Sequence, residues 1–245
     1  DDDAGLQIID LTNPTAPAAA GSLGGLGTAM GVNVEGNYAY VTTYDSGQFY
    51  LRVIDVSDPT DPVQVGSLPT PGYSWNVDVV GQYAYVVNAH NLGGFVIIDV
   101  ANPTAPVQVG SYGGDDVYFR VNSMKVVGDM AYLAADYYGG LRIVNVADPS
   151  APVDVGTYDT PGEARDLAVS GPHVYVADDR GGLRIFDVTD PALPVEVAYN
   201  DTIIAYNVVL AGDHAFVLHD WSGLNILQTP QSDDDGQSDE TEDGA

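Results

Sequence analysis

Three observations on the sequence predict an all-β fold, a β-propeller of four-stranded blades. First, the segment Leu51–Ser67 returns in altered form four times, at Leu6–Ser22, Phe95–Ser111, Leu141–Thr157 and Leu183–Ala198. Second, a phrase of the type Gly-x-Tyr-Ala-Tyr-Val starts at glycines 36, 81, 128, 171 and 212, so the repeat has the length of one propeller blade. Third, no segment shows a sustained helical spacing of apolar residues.

Each repeat is predicted to contain four antiparallel strands, A to D. In the second full repeat they are Asn76–Val80, Tyr83–Val87, Phe95–Val100 and Val107–Tyr112. Strand B is rich in β-branched and aromatic residues, and strand C is apolar almost throughout, as expected for a strand buried on both faces. The turn Asn102–Pro106 separates strands C and D, because proline cannot continue a ladder and asparagine caps its own backbone.

The strands do not divide evenly into blades. The sequence predicts four complete blades, at 31–68, 76–112, 123–158 and 166–200, and a fifth that joins 207–218 and 224–228 to the N-terminal strand 17–23. One strand C, starting at Leu6, is left over. It could replace or add to the strand at 224–227 in a ring of five blades, or it could pair with another molecule, since an open edge is a template for association. The pattern favours five blades, or six or more if the N-terminus is truncated. Residues 1–230 form the predicted propeller.

Composition limits the function. The chain has 245 residues, no cysteine, and 7 Lys and Arg against 35 Asp and Glu, a formal net charge of −28. Such a surface repels phosphate backbones and anionic headgroups, which argues against nucleic-acid partners and direct membrane insertion. No apolar run approaches the length of a membrane span.

Residues 231–245 contain almost no apolar side chains and are predicted to form a disordered acidic tail or linker. Within it, Asp233, Asp235, Asp239 and Glu242 have a spacing similar to that of calcium loops, so weak Ca²⁺ binding is a hypothesis beside that of a plain acidic spacer. No other cofactor is predicted.

The loops at one end of the blades differ between repeats, whereas the strands are alike, and this variation predicts where a ligand is recognised. Aromatic and charged side chains there suit a sugar or a peptide. The candidate ligand-binding residues are Tyr73, Trp75, Tyr118, Arg120, Asp136, Arg165, Asp178, Tyr206, His219, Asp220 and Trp221.

Two further hypotheses concern polar side chains. Carboxylates that end strand B, such as Asp136, Asp178 and Asp220, could form a glycoside-cleaving pair, or could only cap the turns that they begin. Small or polar residues at the start of strand A are expected to ring a central channel that could hold water or a cation: Gly31, Asn76, Ser123, Asp166 and Asn207. No motif assigns a catalytic residue.

The strand C motifs Leu-Arg-Val-Ile-Asp-Val and Leu-Arg-Ile-Phe-Asp-Val, followed by Asp-Pro and by Pro-Val-x-Val-Gly, resemble those of the LVIVD-repeat family of β-propellers. The resemblance covers about Leu6 to Leu227. It implies a prokaryotic protein that is exported or displayed at the cell surface, and it implies no defined activity. We therefore expect a non-catalytic scaffold or protein-interaction module that associates with proteins or with itself. The alternatives are a carbohydrate-binding propeller and a glycoside hydrolase.

Overall fold

The computed structural model describes residues 5–88, 93–113, 120–136, 139–219 and 223–229. All regular secondary structure in these ranges is β, in 21 strands. None of the described residues forms a helix that is long and apolar enough to cross a membrane.

The strands form six antiparallel sheets in chain order. The N-terminal sheet contains β1 (Leu6–Asp10) and β2 (Ala18–Leu23). Blade 1 contains β3 (Thr28–Glu35), β4 (Tyr38–Asp45), β5 (Gln48–Asp55) and β6 (Val63–Thr70). Blade 2 contains β7 (Val77–Val80), β8 (Tyr83–Asn88), β9 (Gly94–Asp99) and β10 (Val107–Gly113). Blade 3 contains β11 (Arg120–Val127), β12 (Met130–Asp136), β13 (Gly140–Asn145) and β14 (Val153–Tyr158). Blade 4 contains β15 (Asp166–Ser170), β16 (His173–Ala177), β17 (Leu183–Asp187) and β18 (Val195–Asn200). The C-terminal sheet contains β19 (Asn207–Ala211), β20 (His214–His219) and β21 (Gly223–Gln228).

The core lies between successive sheets. The A strands β3, β7, β11, β15 and β19 contact one another in that order, which makes them the innermost strands of an arc. Leu51 and Val53 of blade 1 pack on Val77 and Val79 of blade 2, and equivalent clusters fill each following junction. Because each blade buries a face on either side, its B and C strands are buried almost throughout, as the sequence predicts for strand C.

The turn after strand C is held by two successive aspartate or asparagine caps. In blade 1, Asp55 Oδ1 accepts a hydrogen bond from the Ser57 amide at 2.9 Å, and Asp58 Oδ1 accepts one from the Thr60 amide at 2.9 Å. Equivalent bonds occur in the N-terminal sheet and in the other blades. These local bonds explain why each strand C is followed by the repeated Asp-Pro or Asn-Pro turn.

A glycine in strand D of the N-terminal sheet and of blades 1 to 3 packs against the turn between strands C and D of the next sheet. A Cβ added to Gly66 would lie 2.0 Å from the carbonyl oxygen of Pro103, and one added to Gly110 would lie 1.8 Å from that of Pro149. The same contact joins Gly21 to Pro59 and Gly156 to Pro191. The repeated Val-x-Val-Gly is therefore a blade-to-blade contact, because only glycine lets the two backbones approach so closely.

The predicted blade boundaries are confirmed to within a few residues, and one predicted pairing is wrong. The N-terminal strand D, β2, pairs with β1 and does not complete the C-terminal sheet, which has three strands. Residues Leu6 and Leu23 of this small sheet pack against blade 1. Among the described residues the structure thus has four four-stranded blades, a two-stranded N-terminal sheet and a three-stranded C-terminal sheet, in rough agreement with the predicted blade number.

Candidate functional site

The hairpin formed by strands B and C is longer in blade 1 than in the other described blades. Strands β4 and β5 have eight residues each, whereas strands B and C of blades 2 to 4 have five to seven. The hairpin closes with Ser46 and Gly47, whose φ angles of 50° and 92° suit a two-residue turn. The extension places extra side chains above the core, at the end of the blades where the loops vary.

Four aromatic rings follow one another along this extension. Tyr44 and Phe49 face each other across the hairpin with ring centroids 4.7 Å apart, and Tyr73 lies 4.7 Å from Phe49. Trp75 follows at 6.2 Å from Tyr73, and the guanidinium of Arg120 lies 4.9 Å above the Trp75 ring. We call Tyr44, Phe49, Tyr73 and Trp75 the aromatic strip. The strip begins at the blade 1 hairpin, and Trp75 at its other end packs against the core between blades 2 and 3.

Hydrogen bonds under the strip fix the connection that carries Tyr73 and Trp75. The hydroxyls of Thr70 and Ser74 lie 2.9 Å apart, and Ser74 Oγ donates to Asn88 Oδ1 at 3.3 Å. All three of these polar residues are buried. Because this network joins strand D of blade 1 to strand B of blade 2, it holds the two aromatic residues in place from below.

Asp178, a candidate ligand-binding residue, caps a backbone amide, as the alternative hypothesis for these carboxylates expects. It is fully buried, and its carboxylate accepts hydrogen bonds from Thr160 Oγ1 at 2.5 Å and from the Gly162 amide at 2.8 Å. Burial raises the pKa of Asp178, and these two hydrogen bonds oppose the rise. Asp178 therefore ties the B–C loop of blade 4 to the preceding D–A connection and presents no free face to a ligand.

Arg165 contacts Glu163, Asp179 and Tyr206, and we call these four residues the second cluster. Its Nη2 donates to Glu163 Oε2 at 2.5 Å and to Asp179 Oδ2 at 3.0 Å, and its guanidinium lies 5.7 Å from the centroid of Tyr206. Burial lowers the pKa of Arg165, but the hydrogen bond to Asp179 and the nearby carboxylates outweigh it and give a net rise. The guanidinium thus neutralises carboxylates contributed by a strand connection and a loop.

Polar side chains of the innermost strands form hydrogen bonds from one blade to the next. Asp166 Oδ2 accepts hydrogen bonds from Asn207 Nδ2 at 2.6 Å and from the Val208 amide at 3.1 Å. Asp78 lies in strand β7, two residues after Asn76, which is the equivalent of Asp166 in blade 2. It accepts hydrogen bonds from Lys125 Nζ and from the Val126 amide, both at 2.7 Å. These contacts make both aspartates bridges between A strands.

The pH dependence of stability tests the state of Asp166. Burial raises its pKa above 3.8, so the folded state holds this proton to a higher pH than the unfolded state does. This group therefore makes folding less favourable as pH rises above about 4 through its folded pKa. We expect Asp166→Asn to gain stability relative to the wild type between pH 4 and pH 7 in urea titrations. A difference that is constant with pH would contradict this assignment.

Both ends of the arc expose faces that internal blades bury. Val32 and Val34 of β3 are 56% and 59% exposed, whereas the equivalent Val77 and Val79 of β7 are 6% and 5% exposed. At the other end, Leu224 and Ile226 of β21 are more than half exposed, although Leu51 and Val53, their equivalents in β5, are fully buried. We call these two surfaces the end faces.

The predicted site residues divide into three groups. Tyr73, Trp75 and Arg120 meet in and beside the aromatic strip, and Arg165 and Tyr206 meet in the second cluster. Three further candidates are described: Asp178 is buried, Asp136 is buried and lies close enough to Arg165 to contribute to the rise of its pKa, and His219 ends strand β20. The remaining candidates lie outside the described residues: Tyr118, Asp220, Trp221, Asp233, Asp235, Asp239 and Glu242.

Sequence reasoning missed Tyr44 and Phe49 as site residues. Both lie in residues 44–50, which the sequence predicts to be the B–C loop of blade 1, and the structure extends strands through it. The available signal was Phe49, which replaces a glycine found at the same position in blades 2 to 4: Gly93, Gly139 and Gly181. Among the described residues, no group of three or more His, Asp and Glu side chains is placed to hold a metal ion.

Comparison with solved structures supports the fold. A protein from Lactobacillus plantarum has a TM-score of 0.72 at 14% identity, over 91% of this chain and 76% of that one. The periplasmic gluconolactonase of Pseudomonas aeruginosa has a TM-score of 0.72 at 12% identity, over 93% of this chain and 79% of that one. A functionally unknown protein from Desulfotomaculum acetoxidans has a TM-score of 0.70 at 13% identity, over 86% and 68% of the two chains. At such low identities the likeness establishes a shared propeller fold.

Comparison with sequences gives a more specific result. No curated protein matches the chain significantly. The model of the LVIVD repeat matches five times, at residues 1–23, 26–70, 71–113, 120–160 and 161–202. These matches span the N-terminal sheet and all four blades, and the resemblance seen in the strand C motifs is confirmed. The chain belongs to the LVIVD-repeat family.

Proposed function

We propose that this protein is a non-catalytic β-propeller, displayed outside the cell, that serves as a scaffold and binds proteins through its end faces. The observation that carries the proposal is the exposure of Val32, Val34, Leu224 and Ile226, whose equivalents in the internal blades are buried. Exposed apolar patches of this kind mark protein interaction sites. Within the described residues, β21 is the edge strand of its sheet, beside one of these faces, and an edge strand is a template for association.

The two end faces correspond to the two sides of the contact that joins internal blades. Blade 2 covers Leu51 and Val53 of blade 1 with Val77 and Val79 of its own strand A. Leu224 and Ile226 repeat the first pair, and Val32 and Val34 repeat the second. A surface of the LVIVD-repeat type, including another copy of this chain, is therefore the partner that these faces suit. A contact between two different faces is heterologous and can continue from molecule to molecule.

The carboxylates on the loop face support a binding role over a hydrolytic one. A glycoside-cleaving pair needs two carboxyl groups that face the same substrate. Asp178 is fully buried with both oxygens hydrogen-bonded, and Asp179 is paired with Arg165. The gluconolactonase similar in fold shares 12% identity with this chain, and that likeness carries no residue roles. The location outside the cell is supported by the family resemblance and by the acidic composition.

Light scattering of the purified chain tests the proposal. The charge of −28 repels one copy from another at low salt, so we expect monomers in 20 mM salt and concentration-dependent association in 1 M salt, where the Debye length is about 3 Å. Val34→Asp should abolish the association, because it puts a charge in an apolar contact. Adding millimolar calcium in one arm tests the predicted tail site.

Val153→Asp is the matched control. Val153 has the same exposure as Val34, 59%, but lies on the outer strand of blade 3 and away from both end faces. We expect this variant to associate like the wild type. A chain that remains monomeric in high salt at every concentration, or a Val153→Asp chain that loses association equally, would contradict binding through the end faces.

A further inference from the structure

The geometry points to a neutral oligosaccharide as the ligand of the aromatic strip, at a site distinct from the end faces. We propose that the pyranose rings of a neutral glycan stack on Tyr44 and Tyr73, while the guanidinium of Arg120 binds its hydroxyls. This inference does not depend on the proposed function, because it concerns the loop rim of blades 1 and 2.

The exposure of the strip fits a stacking surface. Tyr44 and Tyr73 are 41% and 44% exposed, and Phe49 between them is nearly buried. The two exposed rings therefore pack on a buried third ring. Tyrosine suits such a position because its ring combines a large apolar surface with a polar end. The spacing of 4.7 Å from Phe49 to each tyrosine makes the surface continuous.

The strip is also built to be rigid. The hairpin turn at Ser46 and Gly47 fixes Tyr44 and Phe49, and the buried hydroxyls of Thr70 and Ser74 fix the segment that holds Tyr73. A surface that is fixed before binding loses little conformational entropy when a ligand is bound. Because the other described blades have a glycine in place of Phe49, the strip occurs once in the described part of the arc.

Charge selects the ligand class. The chain carries a charge of −28, which disfavours acidic sugars. The guanidinium of Arg120 over Trp75 places a positive charge at one end of the strip, which disfavours a cationic sugar at that point. A neutral sugar avoids both penalties, and its hydroxyls can accept hydrogen bonds from the guanidinium.

Isothermal titration calorimetry with three neutral hexasaccharides, cellohexaose, laminarihexaose and chitohexaose, tests the proposal. We expect saturable binding of at least one of them. Tyr73→Ala and Tyr44→Ala should each weaken it about tenfold, which corresponds to about 1.4 kcal/mol of lost stacking. Tyr73→Phe keeps the ring and should lose much less. Both tyrosines lie on the surface and are more than 40% exposed, so these variants should fold, and a thermal melt verifies this.

Tyr199→Ala is the control, because Tyr199 is an exposed tyrosine on strand β18, 61% exposed and far along the chain from the strip. We expect it to bind like the wild type. A hexamer of uronic acid serves as the charged probe. The proposal is overturned if no neutral hexasaccharide binds, if only the uronic acid binds, or if Tyr199→Ala weakens binding as much as Tyr73→Ala does.

Discussion

Gly110→Ala is expected to lower the free energy of unfolding by about 3 kcal/mol, more than most single substitutions in this chain. The added Cβ would lie 1.8 Å from the carbonyl oxygen of Pro149 in the next blade. Both clashing groups are fixed, one to strand β10 and the other to the turn between β13 and β14, so no side chain can move aside. Relief requires blades 2 and 3 to separate, and overpacking of this kind costs about 1–3 kcal/mol or more. Urea unfolding followed by circular dichroism measures the effect.

Ala198→Gly is the matched control for this substitution. Ala198 occupies the same position in strand D of blade 4 as Gly110 does in blade 2. Within the described residues, the C-terminal sheet brings no Asp-Pro turn against it. Removing its methyl group should cost only about 0.5–1 kcal/mol, the usual effect of glycine on backbone entropy. Equal losses at the two positions would show that the glycine contact does not join the blades.

Asp178→Ala is expected to cost about 3 kcal/mol, the second large effect. The substitution removes the acceptor of the buried Thr160 hydroxyl and of the partly buried Gly162 amide. A buried donor left without a partner costs about 1–3 kcal/mol. The loss should appear as a lower midpoint of urea unfolding, together with faster amide exchange at Gly162, whose hydrogen bond would be gone.

Asp61→Ala provides the comparison for a surface aspartate. Asp61 is exposed in the turn before β6, and surface substitutions of this kind usually change stability by no more than about 0.5 kcal/mol. If Asp178→Ala were equally mild, Asp178 would have to be a solvent-accessible side chain, and the glycoside-hydrolase hypothesis would regain support. A large loss would identify Asp178 as a structural anchor of the loop.

The strands of each blade could be predicted because their causes are local. Alternation, β-branched residues, and the Asp-Pro turns set the bounds of β7 to β10 to within about a residue of the prediction. The residue that ends strand C, such as Asp55, bonds to an amide two residues away, so its effect is fully contained in the sequence motif. Local bonds of this kind need no knowledge of the neighbouring blades.

The pairing of β2 and the roles of Asp178 and Phe49 could not be predicted in this way. Strand β2 follows β1 after a short turn and pairs with it, although the repeat pattern also permits a distant partner. Asp178 resembles other aspartates that begin loops, and only its contact with a connection sixteen residues earlier buries it. Phe49 becomes part of a surface only because Tyr73, from the connection to the next blade, lies against it.

The sequence by itself determined the repeat, its four strands, the turns between strands C and D, and the membership of the LVIVD-repeat family. The tertiary structure alone decided which glycines touch a neighbouring blade, which carboxylates are buried, and which apolar faces are exposed at the ends of the arc. The physical reason is one of range. Hydrogen bonding and side-chain alternation within a blade depend on nearby residues, whereas burial and close packing depend on how successive blades meet.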